Sequence, residues 1–223
     1  QLKEDLSPLT KADTISHNII CQRLKVLTPD IPILSEEGSN IPYEVRSKWK
    51  QYWLVDPLDG TKEFLKRNGE FTINIAFIEK NNPILGVVHL PVSDETYWGS
   101  NIDNSSYSKG KKDAIKISVK ANPDKRIRIL ASRSHPSNLL DSFLREIIDY
   151  QIFNRGSSLK FCLIASGTAD IYPRFGPTSE WDTAAGHAVL KFAGGKVIDL
   201  KGKELSYNKK NLINPDFIAA NQI

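Results

Sequence analysis

The chain has 223 residues, of which 40% are hydrophobic and 25% charged, and its formal net charge is +4. That length buries a full core as one large or two small domains, and the composition is that of an ordinary globular protein rather than a disordered or fibrous one. No apolar run approaches the roughly 18 residues needed to cross a bilayer, no secretory signal opens the chain, and the dispersed positive charge gives little support to a nucleic-acid binder.

Taken in order, Ser7 to Asp13 reads as a turn leading into a helix of about fifteen residues, with Ile15, Ile19, Ile20 and Leu24 at helical spacing. Ile31-Pro32-Ile33-Leu34 reads as a short buried strand ending at Ser35-Glu36-Glu37-Gly38. A second apolar strand, entered at Tyr52-Trp53-Leu54-Val55, runs into Asp56-Pro57-Leu58-Asp59-Gly60-Thr61. Residues 72–79, 84–90 and 95–99 alternate as a β-meander with turns at Asn81-Asn82-Pro83 and Ser93-Asp94. Lys109-Gly110-Lys111-Lys112, the densest basic spot, marks a solvated hairpin tip.

From about residue 114 the pattern becomes βαβα: strands at 127–131, 150–154, 169–172 and 196–199, with helices near 137–148, 158–166 and 182–193. The expected class is therefore α+β in an N-terminal half, residues 1–112, and α/β in a C-terminal half, residues 113–223, joined by one extended interface. The two cysteines, Cys21 and Cys162, are far apart and predict reduced core thiols in a cytosolic protein. The chain begins at Gln1 and contains no Met, which predicts that the natural start lies upstream.

The segment from Asp56 to Thr61 has two readings. Asp-Pro-x-Asp-Gly is a common type I turn. It is also an arrangement for divalent cations and phosphate: two carboxylates at a strand end can reach one ion, and the Leu58 carbonyl can add a hard oxygen ligand. Gly60 permits a sharp turn, and Thr61 would open a helix whose free amides favour an anion. Glu36 also follows an apolar strand, so it can project into the same crevice. Asp182, at the start of the last long helix, is either a helix N-cap or a fourth carboxylate of that cluster. Small residues behind it, Ala184, Ala185, Gly186 and Ala188, allow a close backbone approach. Four carboxylates buried together would repel and raise one another's pKa. Two or three Mg²⁺ ions would bring about +4 to +6 and leave the site able to receive a phosphate dianion.

Val55-Asp56-Pro57-Leu58-Asp59-Gly60-Thr61 and Trp181-Asp182-Thr183-Ala184-Ala185-Gly186 resemble the two signatures of the lithium-sensitive, magnesium-dependent inositol monophosphatase superfamily. Ser35-Glu36-Glu37 and Thr10-Lys11-Ala12-Asp13 match its two smaller motifs in the expected order. Asp59 to Phe64, Arg67-Asn68-Gly69-Glu70-Phe71, Gly156 to Phe161 and Tyr172 to Thr178 are similar to the bacterial CysQ-type 3'(2'),5'-bisphosphate nucleotidase branch. The resemblance covers nearly the whole chain, apart from the family's N-terminal helix. It implies the layered α-β-α-β-α sandwich of the sugar-phosphatase type.

The resemblance further implies that Glu36, Asp56, Asp59, Asp182 and the Leu58 carbonyl ligate two or three Mg²⁺ ions. Catalysis would fall to Glu36, Thr61 and Asp13, with Thr61, oriented by Asp13, polarising the attacking water; for Asp13 the plain alternative is a helix N-terminal residue favoured by the dipole. The same resemblance assigns Glu36, Leu58, Asp59, Gly60, Thr61 and Asp182 to substrate binding, the Gly60 and Thr61 amides holding the scissile phosphate. Lys160 and Arg174, with Ser157 and His135, are the candidates for a second phosphate. Glu37, Glu63 and Lys62 receive no role.

The expected activity is release of the 3'-phosphate of adenosine 3',5'-bisphosphate to give AMP, by metal-activated water attack, with 3'-phosphoadenylyl sulfate as a second substrate. The setting implied is sulfur metabolism in a bacterial cytoplasm, a peripheral contact with the inner face of the membrane remaining open. The partner is a small bisphosphorylated nucleotide, and no feature fixes the oligomeric state. The rivals are the same chemistry on inositol monophosphate or fructose 1,6-bisphosphate, and a non-catalytic nucleotide or RNA binder of the same fold.

Overall fold

A computed structural model describes residues 10–121, 126–133 and 138–221. Helix α1, Lys11–Leu27, is followed by strand β1, Ile33–Ser35, a 3₁₀ turn at Glu36–Gly38, a single turn α2, Tyr43–Arg46, and the long strand β2, Gln51–Asp59. A short helix α3, Thr61–Leu65, leads to β3, Thr72–Glu79, β4, Asn82–Leu90, β5, Glu95–Ser100, β6, Asn104–Lys109, and β7, Ile115–Ile117. These seven strands form one sheet in chain order, antiparallel except for the parallel β1–β2 pair.

The remaining elements are β8, Ile127–Ser132, α4, Asn138–Arg145, β9, Tyr150–Arg155, α5, Leu159–Ala165, β10, Ile171–Arg174, α6, Glu180–Phe192, β11, Lys196–Asp199, and β12, Phe217–Ala220. They make a second sheet in the order β11-β12-β10-β8-β9, parallel at β9–β8–β10 and antiparallel through β12. The meander and the βαβα rhythm legible in the chain are both present. Strands β6, β7 and β12 are additions, and the basic Lys109 to Lys112 segment is the β6–β7 hairpin tip, with Lys109 paired to Glu95.

The layers arise from which face each strand shows. On β2, Leu54 joins the central core cluster while Trp53, on the opposite face, donates its indole N–H to Thr28 at the end of α1. Helix α1 thus covers one face of the first sheet, and α5 and α6 lie between it and the second sheet. Ala184, Ala185 and Ala188 of α6 are completely or almost completely buried. The approach is so close that a Cβ on Gly86 of β4 would sit 2.3 Å from the Ala185 carbonyl oxygen. This is the layered α/β fold that the sequence predicts.

Two expectations change. Helical spacing puts Ile15 and Ile19 on an apolar stripe, yet they are 57% and 56% exposed, while Asp13 and Leu24 are the buried residues of α1. The helix is rotated so that a polar stripe, Asp13, Ser16 and His17, meets the ends of β1 and β2. Cys162 is a buried thiol as expected, whereas Cys21 is half-buried beside the His17 ring. No helix among the described residues is long and apolar enough to cross a membrane.

Candidate active site

Strand β2 does not end in a free turn at Asp56. It continues through a register shift between Asp56 and Asp59, so Asp56-Pro57-Leu58-Asp59 forms an irregularity inside the strand. Proline fits there because a bulge leaves its missing N–H without a ladder partner. The Leu58 N–H, turned out of the ladder, donates to Asp56 Oδ1 at 3.0 Å. Gly60 then takes φ +91°, a backbone angle that favours glycine, and a Cβ there would lie 2.3 Å from Ser157 Oγ and displace that hydroxyl. Thr61 opens α3, and its hydroxyl donates to Asp13 Oδ1 at 3.2 Å.

The parallel register pairs Ser35 with Val55, so Glu36, the first residue of the 3₁₀ turn after β1, follows beside the strand position where β2 reaches Asp56. Two helices bring the remaining carboxylates. In α1 the Thr10 amide donates to Asp13 Oδ2 at 2.8 Å, and in α6 the Ser179 amide donates to Asp182 Oδ2 at 2.8 Å. Asp182 is therefore the third residue of its helix rather than the N-cap, which is Ser179. Each of these aspartates uses one oxygen to close its own helix end. Asp13 turns its other oxygen to Thr61.

The electrostatics are those of crowded carboxylates that Lys160 and Arg174 offset only in part. Asp56 is held well above the usual carboxylate range by burial, then by the charges of Glu36, Asp59 and Asp182, and it shares a hydrogen bond with Glu36. Asp182 is likewise raised well above that range by burial, then by Asp59 and Glu36. Asp59 is raised by burial too, but Lys160, the Ser158 amide and Asn74 pull it back. Its Oδ2 accepts from Ser158 N at 2.6 Å and, at 3.4 Å each, from Thr72 Oγ1 and Asn74 Nδ2. Among the described residues no three carboxylate, imidazole or thiol groups already stand in a metal-holding arrangement.

Glu36, Asp56, Leu58, Asp59, Gly60, Thr61 and Asp182 line a single crevice of about 340 Å³, and Ser157, Lys160 and Arg174 line its other side. Ser157 is a non-glycine residue at φ +50°, a conformation costing about 1–2 kcal/mol. Its Oγ donates to the Asp59 carbonyl at 2.8 Å. Lys160, 4% exposed, donates to the Ser157 carbonyl at 2.6 Å and lies 4.9 Å from the centre of the Tyr172 ring. Burial pushes its pKa down to about 8 against the opposing pull of Asp59. Arg174 gives one N–H to the Pro177 carbonyl at 3.0 Å, while its buried Nε has no hydrogen-bond partner among the described residues. Two buried cations, one with an unpartnered donor, suit an anion in the crevice. His135 lies outside the described residues.

Several contributors had no motif to mark them. Ser16 Oγ donates to the Pro57 carbonyl at 2.8 Å, and the His17 Nδ1 atom is 2.8 Å from Ser35 Oγ, next to Glu36. Thr72 and Asn74 are buried polar residues on the inward face of an otherwise apolar strand, and that misplaced polarity was the signal to read. Glu63, which the motifs give no role, is 4% exposed and lines the crevice beside Lys62.

A layered α/β fold in which a cluster of buried and half-buried carboxylates shares one crevice with two buried cations defines a phosphatase-type site. The chain belongs to the inositol monophosphatase family, whose model matches residues 1–222. It is 49% identical over 216 residues to the 3'(2'),5'-bisphosphate nucleotidase CysQ of Salmonella typhimurium, an alignment covering 96% of this chain and 86% of the relative. Among solved structures it resembles CysQ from Bacteroides thetaiotaomicron, a bacterial member of the family, with a TM-score of 0.87, 38% identity and coverage of 98% of this chain and 87% of that one. An IMPase from Thermotoga maritima gives a TM-score of 0.78 at 26% identity, covering 98% and 81%.

Proposed function

We propose that this protein is a magnesium-dependent 3'(2'),5'-bisphosphate nucleotidase that removes the 3'-phosphate of adenosine 3',5'-bisphosphate to give AMP and phosphate, and that also accepts 3'-phosphoadenylyl sulfate. The observation that carries the reading is the pairing, in one crevice, of carboxylates raised by mutual burial with the buried cations Lys160 and Arg174. The likeness to bisphosphate nucleotidases over nearly the whole chain supports the same substrate class.

In this reading Glu36, Asp56, Asp59, Asp182 and the Leu58 carbonyl hold two or three Mg²⁺ ions. The donor set fits such an ion, being all oxygen and carrying surplus negative charge that now depresses ionisation. Bound magnesium supplies Lewis-acid charge for phosphate and water. The chain's own groups supply orientation. The Thr61 hydroxyl, its proton directed to Asp13, offers a lone pair to the attacking water, and Asp13 is kept in place by the Thr10 amide. The Gly60 and Thr61 amides hold the scissile phosphate, and Ser157, Lys160 and Arg174 take the second. Residues 1–112 thus carry most of the ligands, and residues 113–223 contribute Asp182 and the second-phosphate contacts. The enzyme works in the cytoplasm on a free nucleotide.

Lys160→Ala tests the substrate assignment. It should raise KM for adenosine 3',5'-bisphosphate by about tenfold or more, the scale of one charge-assisted contact, and change kcat/KM for a simple monoester far less. Equal losses on both substrates would count against a nucleotide bisphosphate and favour inositol or sugar phosphates.

A further inference from the structure

Arg67-Asn68-Gly69-Glu70-Phe71 sits between α3 and β3 and contributes no residue to the chemistry described above. Its Glu70 nevertheless reaches across to the second sheet. Glu70 Oε1 accepts from Arg133 Nη2 at 2.8 Å, and Oε2 accepts from Arg133 Nε at 3.1 Å, a bidentate pair. The same Oε2 accepts the Gly156 amide at 2.7 Å. Arg133 also donates to the Asn154 carbonyl at 3.0 Å, so both ends of the pair grip the segment that leads out of β9. The fit is close: a Cβ on Gly156 would lie 2.8 Å from Glu63 Cγ and 3.2 Å from the Glu70 carbonyl oxygen.

Directly after Gly156 comes Ser157 in its left-handed conformation, whose carbonyl receives Lys160 and whose hydroxyl reaches the Asp59 carbonyl. A non-glycine residue persists at positive φ only where its surroundings over-determine it. Asp59 and Lys160 hold this turn from its far side, and Glu70 holds it at its entry. We propose that Glu70, through Arg133 and the Gly156 amide, is a positioning residue that fixes the Ser157 turn and so presents Ser157 and Lys160 to the second phosphate of the substrate. The inference rests on the proposed role of Ser157 and Lys160 as contacts for that phosphate.

Glu70→Ala should raise KM for adenosine 3',5'-bisphosphate about tenfold while kcat, and KM for 3'-AMP, stay within about threefold. E70Q, whose single amide oxygen still accepts from Gly156 but whose NH2 faces the Arg133 guanidinium, should recover part of the loss. R133A, which keeps the Glu70–Gly156 bond, should likewise show a smaller loss of the same kind. Hydrogen exchange of the amides at 156–158 should accelerate at least about tenfold in E70A, with the α6 amides unchanged. Equal losses on both substrates would overturn the proposal, since the loop would then be serving Asp59 and the fold. Unchanged exchange at 156–158 would sink the clasp even with the substrate reading intact. A wild-type protein that fails to prefer the bisphosphate over 3'-AMP would sink the substrate reading, whatever the exchange shows. Should E70A not fold, R133A and E70Q are read instead, with the same selectivity for the bisphosphate expected at a smaller fold-change.

Discussion

Asp56→Asn should abolish turnover, by at least about a thousandfold, and at the same time stabilise the metal-free protein. Both results come from one cause. Burial first, and then Glu36, Asp59 and Asp182, hold the Asp56 carboxyl well above its ordinary pKa. A carboxyl whose folded pKa is raised takes up protons on folding, so the stability of the metal-free wild type falls as pH climbs from the unfolded carboxylate value, about 4, through the raised folded values of Asp56 and Asp182. The neutral amide removes one of the repelling charges. The thermal midpoint of metal-free D56N at pH 8 should exceed that of the wild type by a few degrees, and its decline with pH should be shallower. Saturating Mg²⁺ should flatten the wild-type decline in the same way. Asp59→Asn should cost as much activity but give less stabilisation, because the Ser158 amide, Asn74 and Lys160 already support the Asp59 charge. Calorimetry across pH with and without Mg²⁺ separates these cases. An unchanged or lowered midpoint for metal-free D56N at pH 8 would show that the carboxylates do not repel as described.

Thr61→Ala should lower kcat by about 10² to 10⁴ while leaving KM within a few-fold, since the hydroxyl acts on the water rather than on the bound nucleotide. Thr61→Ser keeps the oxygen that Asp13 orients and should keep most of the rate. Asp13→Asn should follow Thr61→Ala in direction, because an amide at that position can present its N–H to Thr61 and reverse the polarity of the hydrogen bond. Steady-state kinetics with the bisphosphate decides this. A T61A enzyme with wild-type kcat would remove Thr61 from the reaction.

Much of this crevice could be read from the chain because its proposed ligands come in short runs with fixed chemistry. Asp56 to Thr61 and Trp181 to Gly186 carry both the carboxylates and the small residues that bring them together. The meander was legible for the ordinary reason that β3 alternates buried and half-buried positions without interruption. Strand β6 was not, since Asn104-Ser105-Ser106-Tyr107 reads as loop, and its serines become strand only between β5 and β7 with Ser105 donating to the Val189 carbonyl of α6. Helix α1 misled through its isoleucines: periodicity located the helix but could not say which stripe faces inward. The pull of Asp13, Ser16 and His17 toward Thr61, Pro57 and Ser35 decided it. Asp182 had the same ambiguity as a cap or a site residue, and the structure gives one oxygen to capping while leaving the residue in the crevice wall. Glu70 lies in a motif that resembles the nucleotidase branch, but its role was not legible there, because its partners are 63 and 86 residues away in the chain.

The central claim is tested most directly by following adenosine 3',5'-bisphosphate with the purified protein and Mg²⁺, resolving nucleotide and phosphate products together. AMP and phosphate should appear in equal amounts with the 5'-phosphate retained, only when Mg²⁺ is present, and with inhibition by lithium. The kcat/KM should exceed that for inositol 1-phosphate or fructose 1,6-bisphosphate by about a hundredfold or more, the discrimination expected when buried cations are left unpaired by the wrong substrate. A higher kcat/KM for either of those substrates, or no phosphate release from any monoester, would contradict it.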